Sequence, residues 1–207
     1  MGDVKIQDVA RLAGVSPSSI SNYLNNRMAQ MRPGTQLRIR QAIEHGGLSL
    51  YYQPKIDLAT GAVHGAEALT RWRSATRGWV PPEVFVTIAE QPDLIEPFSF
   101  WVINTALRQR SLRCSKSDGK SVAVNLSANI LHHPHLVEIV TRAMNIWGTQ
   151  PGNLILEVTE GAMMRDPAAS LRTLQMLHDQ GITISVDDFG TGYSSLAYLK
   201  KLPIREL

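Results

Sequence analysis

From residue 48 onward, short apolar runs of strand length alternate with stretches of helical periodicity. The strand-like runs are Leu48–Tyr52, Val63–Arg71, Val122–Leu126, Leu154–Thr159 and Ile182–Val186; helical patterns occupy Pro97–Leu112, Pro134–Trp147 and Pro167–Gln180. This alternation predicts an α/β architecture, a parallel sheet with its helices outside. It also says where to look for function, because such folds collect their chemistry at the strand ends. With 43% hydrophobic and 19% charged residues among 207, the chain carries apolar side chains enough for such a core.

Polar side chains recur at those ends. Glu67 lies in Ala66-Glu67-Ala68-Leu69, Asn125 in Val124-Asn125-Leu126-Ser127, and Glu157 in Leu156-Glu157-Val158-Thr159-Glu160. After the last run come Asp187-Asp188, the turn Gly190-Thr191-Gly192 and a helix start at Ser194-Ser195. Each polar group sits within or just past an apolar run, where an unpaired charge is expensive. For one such residue an internal salt bridge is explanation enough, and an Asx-type turn accounts for Asp187-Asp188 taken alone. Oxygen donors from four successive strands meeting at one point instead describe a site for a hard cation, Mg²⁺ or Mn²⁺. Two adjacent carboxylates repel unless a cation sits between them.

Together with Tyr52-Gln53-Pro54 and Glu67-Ala68-Leu69-Thr70-Arg71-Trp72, these stretches resemble the successive motifs of EAL-type cyclic-di-GMP phosphodiesterases, from about residue 48 to the last residue. The resemblance implies a TIM-like (β/α) barrel and metal-assisted hydrolysis of one phosphodiester of cyclic di-GMP to linear pGpG. It implies that Glu67, Asn125, Glu157 and Asp187 ligate a first metal, and that Asp187 and Asp188 share a second. Gln53, Leu69 and Arg71 would contact the nucleotide, and Glu160 would anchor the loop Phe189–Ser195, which bears on homodimerisation of a complete domain. The family continues with a Lys-Ile-Asp strand, a general-base Glu and a further strand that this sequence does not reach. The expected barrel is therefore incomplete at its C-terminal end, with five strands where closure takes eight, and its turnover is expected to be impaired.

The first segment has a different character. Residues 1–47 hold six basic and three acidic side chains, and the rest of the chain holds fifteen of each, so the whole formal charge of +3 lies at the N-terminal end. A polyanion contact and a solvated basic face both fit that balance. Ile6, Val9, Ala10 and Leu12-Ala13 form a short helical stripe stopped by Gly14; Ser16 and Pro17 then open a second helix with Ile20 and Leu24 inward. Two short helices about such a turn are a helix-turn-helix, a small all-α unit. The wording Asp8-Val9-Ala10-Arg11-Leu12-Ala13-Gly14-Val15-Ser16, then Ser19-Ile20-Ser21-Asn22-Tyr23-Leu24-Asn25-Asn26, resembles the DNA-binding headpiece of the lac-repressor family. By that resemblance Pro17, Ser18 and Asn22 face bases of double-stranded DNA, and Ser16, Ser19, Asn25 and Thr35 hold phosphates. That family often has Arg where Asn22 stands, and neither its hinge helix nor its sugar-binding domain follows. The amphipathic stretch Gln36–His45, ended by Gly46-Gly47, reads as a joint between residues 1–46 and 47–207.

No apolar run approaches the length of a membrane span, no signal-peptide pattern opens the chain, and the single Cys114 suits a reducing cytoplasm. His132-His133-Pro134-His135 reads as a surface loop more readily than as a zinc cluster, since no Cys or spaced partner accompanies it. Met163-Met164 and the four tryptophans read as packing. The expected function is a cytoplasmic DNA-binding regulator with a phosphodiesterase-derived domain. Two alternatives stand beside it: a transcription factor whose EAL portion only dimerises or binds a partner, and an active phosphodiesterase with a vestigial headpiece.

Overall fold

The computed structural model describes residues 47–74, 78–114, 118–187 and 202–204. Ser16, Pro17, Ser18, Ser19, Asn22, Asn25, Thr35, the joint Gln36–His45, Asp188 and the loop Phe189–Ser195 lie outside the described residues. The described residues divide into two compact units, one holding residues 47–49 with those described between Thr70 and Leu94, the other holding Leu50–Leu69 with the described residues from Ile95 onward.

Six strands are present among the described residues: β1 (Leu48–Ile56), β2 (Val63–Ser74), β3 (Gly78–Val80), β4 (Ser121–Leu126), β5 (Leu154–Thr159) and β6 (Thr183–Asp187). The sheet order is β1-β2-β4-β5-β6, with β3 pairing on β2. From β2 to β6 the neighbours are parallel, as the alternation predicts. The first hairpin departs from that expectation. The Arg73 N–H donates to the Gly47 carbonyl at 3.1 Å and the Ser49 hydroxyl reaches the Arg71 carbonyl at 3.5 Å, so residue numbers run in opposite senses on β1 and β2. The connection leaves no choice, because residues 57–62 are too few for a parallel crossover. Asp57 closes it: its Oδ1 accepts from the backbone N–H groups of Ala59 at 2.9 Å and Thr60 at 2.8 Å. The sheet is therefore mixed, and it has a strand that the five apolar runs did not foretell. That strand, β3, is three residues long and antiparallel to β2 through Trp72↔Val80 and Ser74↔Gly78.

In the first unit, α1 (Pro82–Ala89) buries Phe85 and Ile88, and Phe85 meets the Trp72 ring edge-on with centroids 6.2 Å apart. In the second unit the helices are α2 (Ile95–Arg113), α3 (Ala128–Leu131), α4 (Leu136–Trp147), α5 (Glu160–Met164) and α6 (Pro167–Asp179). On α4 the buried side chains Leu136, Ile139, Val140, Ala143 and Met144 recur at helical spacing, and Gly148 ends the helix at φ 58°. Asp166 caps α6 by accepting from the Ala169 N–H at 3.0 Å, one residue before Pro167. Strands β4, β5 and β6 are almost wholly buried, which is what a parallel layer covered on both faces requires. Gly65 lets β2 join them closely: a Cβ there would collide with Ser121, whose carbonyl oxygen would lie 2.8 Å away.

Candidate active site

Parallel pairing places the polar residues of the second unit on neighbouring strands. Asn125 of β4 is opposite Glu157 of β5, Glu157 is opposite Ser185 of β6, and Thr159 is opposite Asp187, the last residue of β6. From β2, the Glu67 Oε1 accepts a 2.6 Å hydrogen bond from the Asn125 amide. Two of the four face solvent: Asn125 and Asp187 are exposed, so the burial cost expected for all of them applies chiefly to Glu157, which is 8% exposed.

Glu157 carries the electrostatics. Burial pushes its carboxyl above the usual carboxylate range, the Lys55 ammonium pulls it back, and the charges of Glu67 and Asp187 push it up again. Glu157 therefore feels two further acidic groups, and a cation already stands beside it. Lys55 of β1 places Nζ 3.2 Å from Glu157 Oε1. The sequence reading missed this lysine because it ended the first strand at Tyr52; the strand continues through Pro54 to Ile56. Period-two alternation over the longer strand would have put Lys55 beside Gln53 on one face.

The remaining candidates divide. Gln53 is exposed on β1 and Leu69 is half-buried on β2. Arg71 belongs to the first unit, where its Nη1 donates to the Thr70 carbonyl at 2.9 Å. Glu160 is 2% exposed and begins α5, where the helix dipole favours an acid; the Thr159 hydroxyl caps the same turn through the Ala162 N–H at 3.2 Å. Three carboxylates and an amide offer oxygen donors of the kind a hard divalent cation takes, but the Glu67, Glu157 and Asp187 oxygens do not all lie within 4.8 Å of one another, so they do not meet at one point as expected; the Lys55 ammonium stands beside Glu157 instead.

A mixed sheet whose strands carry Glu67 and Glu157 within them and Asp187 at the end of β6 defines an α/β protein of the TIM-like class with an acidic cluster. The EAL domain family model matches residues 36–207, and the chain belongs to that family. Residues 5–54 match the model of bacterial regulatory proteins of the lacI family. The bifunctional diguanylate cyclase/cyclic di-GMP phosphodiesterase MucR of Pseudomonas aeruginosa is 45% identical over 170 residues, covering 82% of this chain and 25% of that protein. The cyclic di-GMP phosphodiesterase NbdA of the same organism is 42% identical over 170 residues, again 82% of this chain and 22% of its own length. The chain thus spans about a quarter of these relatives. Among solved structures, a PaMucR phosphodiesterase in complex with c-di-GMP aligns with a TM-score of 0.78 at 45% identity, covering 83% of this chain and 70% of that one. No helix among the described residues is long and apolar enough to cross a membrane.

Proposed function

We propose that residues 47–207 bind cyclic di-GMP together with Mg²⁺ or Mn²⁺ through the first-metal part of the machinery that opens one phosphodiester to linear pGpG, with turnover impaired in this chain. The observation that bears most weight is that Glu157 on β5 feels the charges of Glu67 from β2 and Asp187 from β6 while the Lys55 Nζ stands 3.2 Å from its carboxylate. Glu67, Asn125, Glu157 and Asp187 would hold one cation, and Asp187 with Asp188 a second. Bound there, divalent cations lower the pKa of water and neutralise charge on the phosphoryl oxygens. Gln53 and Leu69 would orient the nucleotide, and the Arg71 guanidinium would pair with a phosphate oxygen. Glu160, buried at the head of α5, would position the loop Phe189–Ser195. Support for cyclic di-GMP as the nucleotide comes from relatives named for its hydrolysis.

The test is hydrolysis of cyclic di-GMP with Mn²⁺, beside calorimetric titration of the nucleotide. Nucleotide binding that is lost in Glu157→Gln, with little or no linear product from the parent, supports the reading; appreciable linear product would refute the impaired turnover. Neither binding nor hydrolysis, with the cation present, would remove it.

A second reading has its own observation, the lacI-family match over residues 5–54. On this reading residues 1–46 bind double-stranded DNA through Ser16, Pro17, Ser18, Ser19, Asn22, Asn25 and Thr35, and the EAL portion pairs two copies so that two headpieces meet two half-sites. DNA affinity that falls steeply with salt, through counterion release from phosphates, supports it. Salt-independent or absent binding would leave the headpiece without a role.

A further inference from the structure

Away from the acidic cluster, the structure resolves the histidine run into separate jobs. The His132 Nε2 lies 2.9 Å from the Ser170 hydroxyl, whereas His133 and His135 turn to Glu96, in the first turn of α2. One ligand atom from each of Glu96, His133 and His135 lies within 4.8 Å of the others, which holds for no other trio of His, Cys, Asp or Glu among the described residues. The partner that the sequence did not supply near Pro134 comes from a helix more than thirty residues earlier.

We propose that Glu96, His133 and His135 form a Zn²⁺ site on the second unit, with the imidazoles and one carboxylate as three ligands and water as the fourth. The Glu96 carboxylate already spans both rings, with Oε2 3.8 Å from His133 Nε2 and Oε1 3.4 Å from His135 Nδ1. A tetrahedral ion with bonds of about 2.0–2.2 Å sets its ligand atoms roughly 3.4 Å apart, so the two Glu96 contacts already stand near that spacing. The rings sit edge to face with centroids 5.3 Å apart, leaving room for an ion between their nitrogens rather than stacking.

The backbone on both sides is fixed before any ion arrives. Ile95 and Leu136, at 4% and 0% exposure, anchor the neighbours of Glu96 and His135 in the core. The His133 N–H donates to the Ile130 carbonyl at 2.9 Å, its own carbonyl accepts from Leu136 at 3.1 Å, and the His135 carbonyl accepts from Ile139 at 2.9 Å. Side chains alone must then adjust, and access is open, with the His135 side chain 57% and Glu96 45% exposed. One rearrangement is needed. The His135 N–H donates to His133 Nδ1 at 3.4 Å, a tautomer that keeps the proton on Nε2. Coordination through Nε2 moves that proton to Nδ1 and gives up only this long contact. Two nitrogens and one oxygen suit Zn²⁺ and discriminate against Mg²⁺ and Mn²⁺, which prefer oxygen alone. The two metal requirements of this chain are thereby separated by ligand chemistry, and the zinc would tie the start of α2 to the turn that leads into α4.

The experiment is equilibrium dialysis of the full chain, without a polyhistidine tag, against micromolar Zn²⁺ in millimolar Mg²⁺, with metal counted by mass spectrometry. The expected result is one zinc per chain, weakened tenfold or more in His133→Ala and in His135→Gln, and unchanged in Glu157→Gln. Co²⁺ in place of zinc should show visible absorption of a low-coordinate, nitrogen-ligated ion that His133→Ala removes. Circular dichroism of each variant checks that the substitutions at half-buried His133 and exposed His135 leave the fold intact. Zinc uptake that is absent, that survives both histidine substitutions, or that vanishes in Glu157→Gln would overturn the proposal.

Discussion

The parallel strands β4, β5 and β6 and the antiparallel hairpin of β1 and β2 belong to one sheet yet solve different problems. Leu154, Ile155 and Leu156 on β5 are at most 3% exposed, whereas Tyr51 and Ile56 on β1 stand 51% and 44% exposed. The central strands are locked on both faces, so a slip of one residue would turn every buried side chain the wrong way. That rigidity fixes where Asn125, Glu157 and Asp187 emerge. The edge hairpin is held less tightly and contributes by reach: Lys55 extends to Glu157, and Tyr52 brings its ring inward. Asn125, Glu157 and Asp187 thus come from the most buried part of the sheet, while Glu67 and the neutralising Lys55 come from the hairpin.

The widest separation between the two regions should appear on truncating matched side chains. Leu156→Ala removes a side chain with no exposed surface and leaves a cavity, at a cost of about 3–4 kcal/mol. Ile56→Ala, on the hairpin, should stay within about 0.5 kcal/mol of the parent. Denaturant midpoints for both variants decide the matter, and similar losses at the two sites would erase the distinction. The seam between the regions comes next. Gly65→Ala places a Cβ against the Ser121 backbone, where strand pairing gives it nowhere to go. A loss of about 1–3 kcal/mol is expected, the range for overpacking. A fully stable variant would mean that β2 can lift from β4 without penalty.

How much of this was legible follows the same division. The bounds of β5, Leu154–Thr159, match the apolar run residue for residue, and those of β4 and β6 differ by one, because buried parallel strands write themselves as continuous apolar runs. The edge hairpin obeys weaker rules. Pro54 argues against a strand unless the strand lies at an edge, where a missing N–H costs nothing, and ending the run at Tyr52 discarded Lys55 with it. The antiparallel sense was available from the length of the 57–62 connection but was overridden by the βα alternation downstream. Strand β3 and the short helices α3 and α5 carry too few residues for a period to register. Glu67, Asn125, Glu157 and Asp187 were readable as acids and an amide among apolar runs, but only Asp187 stands at a strand end, Glu67 and Glu157 lying within β2 and β5; the Glu96 contribution to the histidine pair was not readable, since helix and loop meet only in the folded chain.

The reach of the hairpin into the acidic cluster gives a smaller effect. Lys55→Met removes the ammonium beside a nearly buried carboxylate and leaves Glu67 and Asp187 acting on it unopposed by that charge. A pair that is fully buried would lose about 3–5 kcal/mol on such a break, but with the Lys55 side chain 24% exposed the expected cost is about 1–2 kcal/mol. Added Mn²⁺ should restore more stability to Lys55→Met than to the parent, since a bound cation replaces the lost charge. Equal stability of variant and parent without metal would show that Lys55 is incidental.

The smallest expected effect tests whether the hairpin gains anything by burying Tyr52. Its hydroxyl has no exposed surface and no hydrogen-bond partner among the described residues, so Tyr52→Phe should be neutral or stabilise by up to about 1 kcal/mol. Burial raises the phenol to about 12, against a lesser opposite pull from the Arg113 charge. The unfolded phenol titrates near its ordinary value of about 10. Below that pH both states keep the proton and no stability depends on it. Between about 10 and about 12 the unfolded chain ionises first, the folded state binds more protons, and stability falls as pH rises. Urea unfolding at pH 8 and near pH 11 should therefore show a steeper alkaline loss in the parent than in Tyr52→Phe. Parallel losses would place the hydroxyl in contact with water, and the edge strand would then reach inward with Lys55 alone.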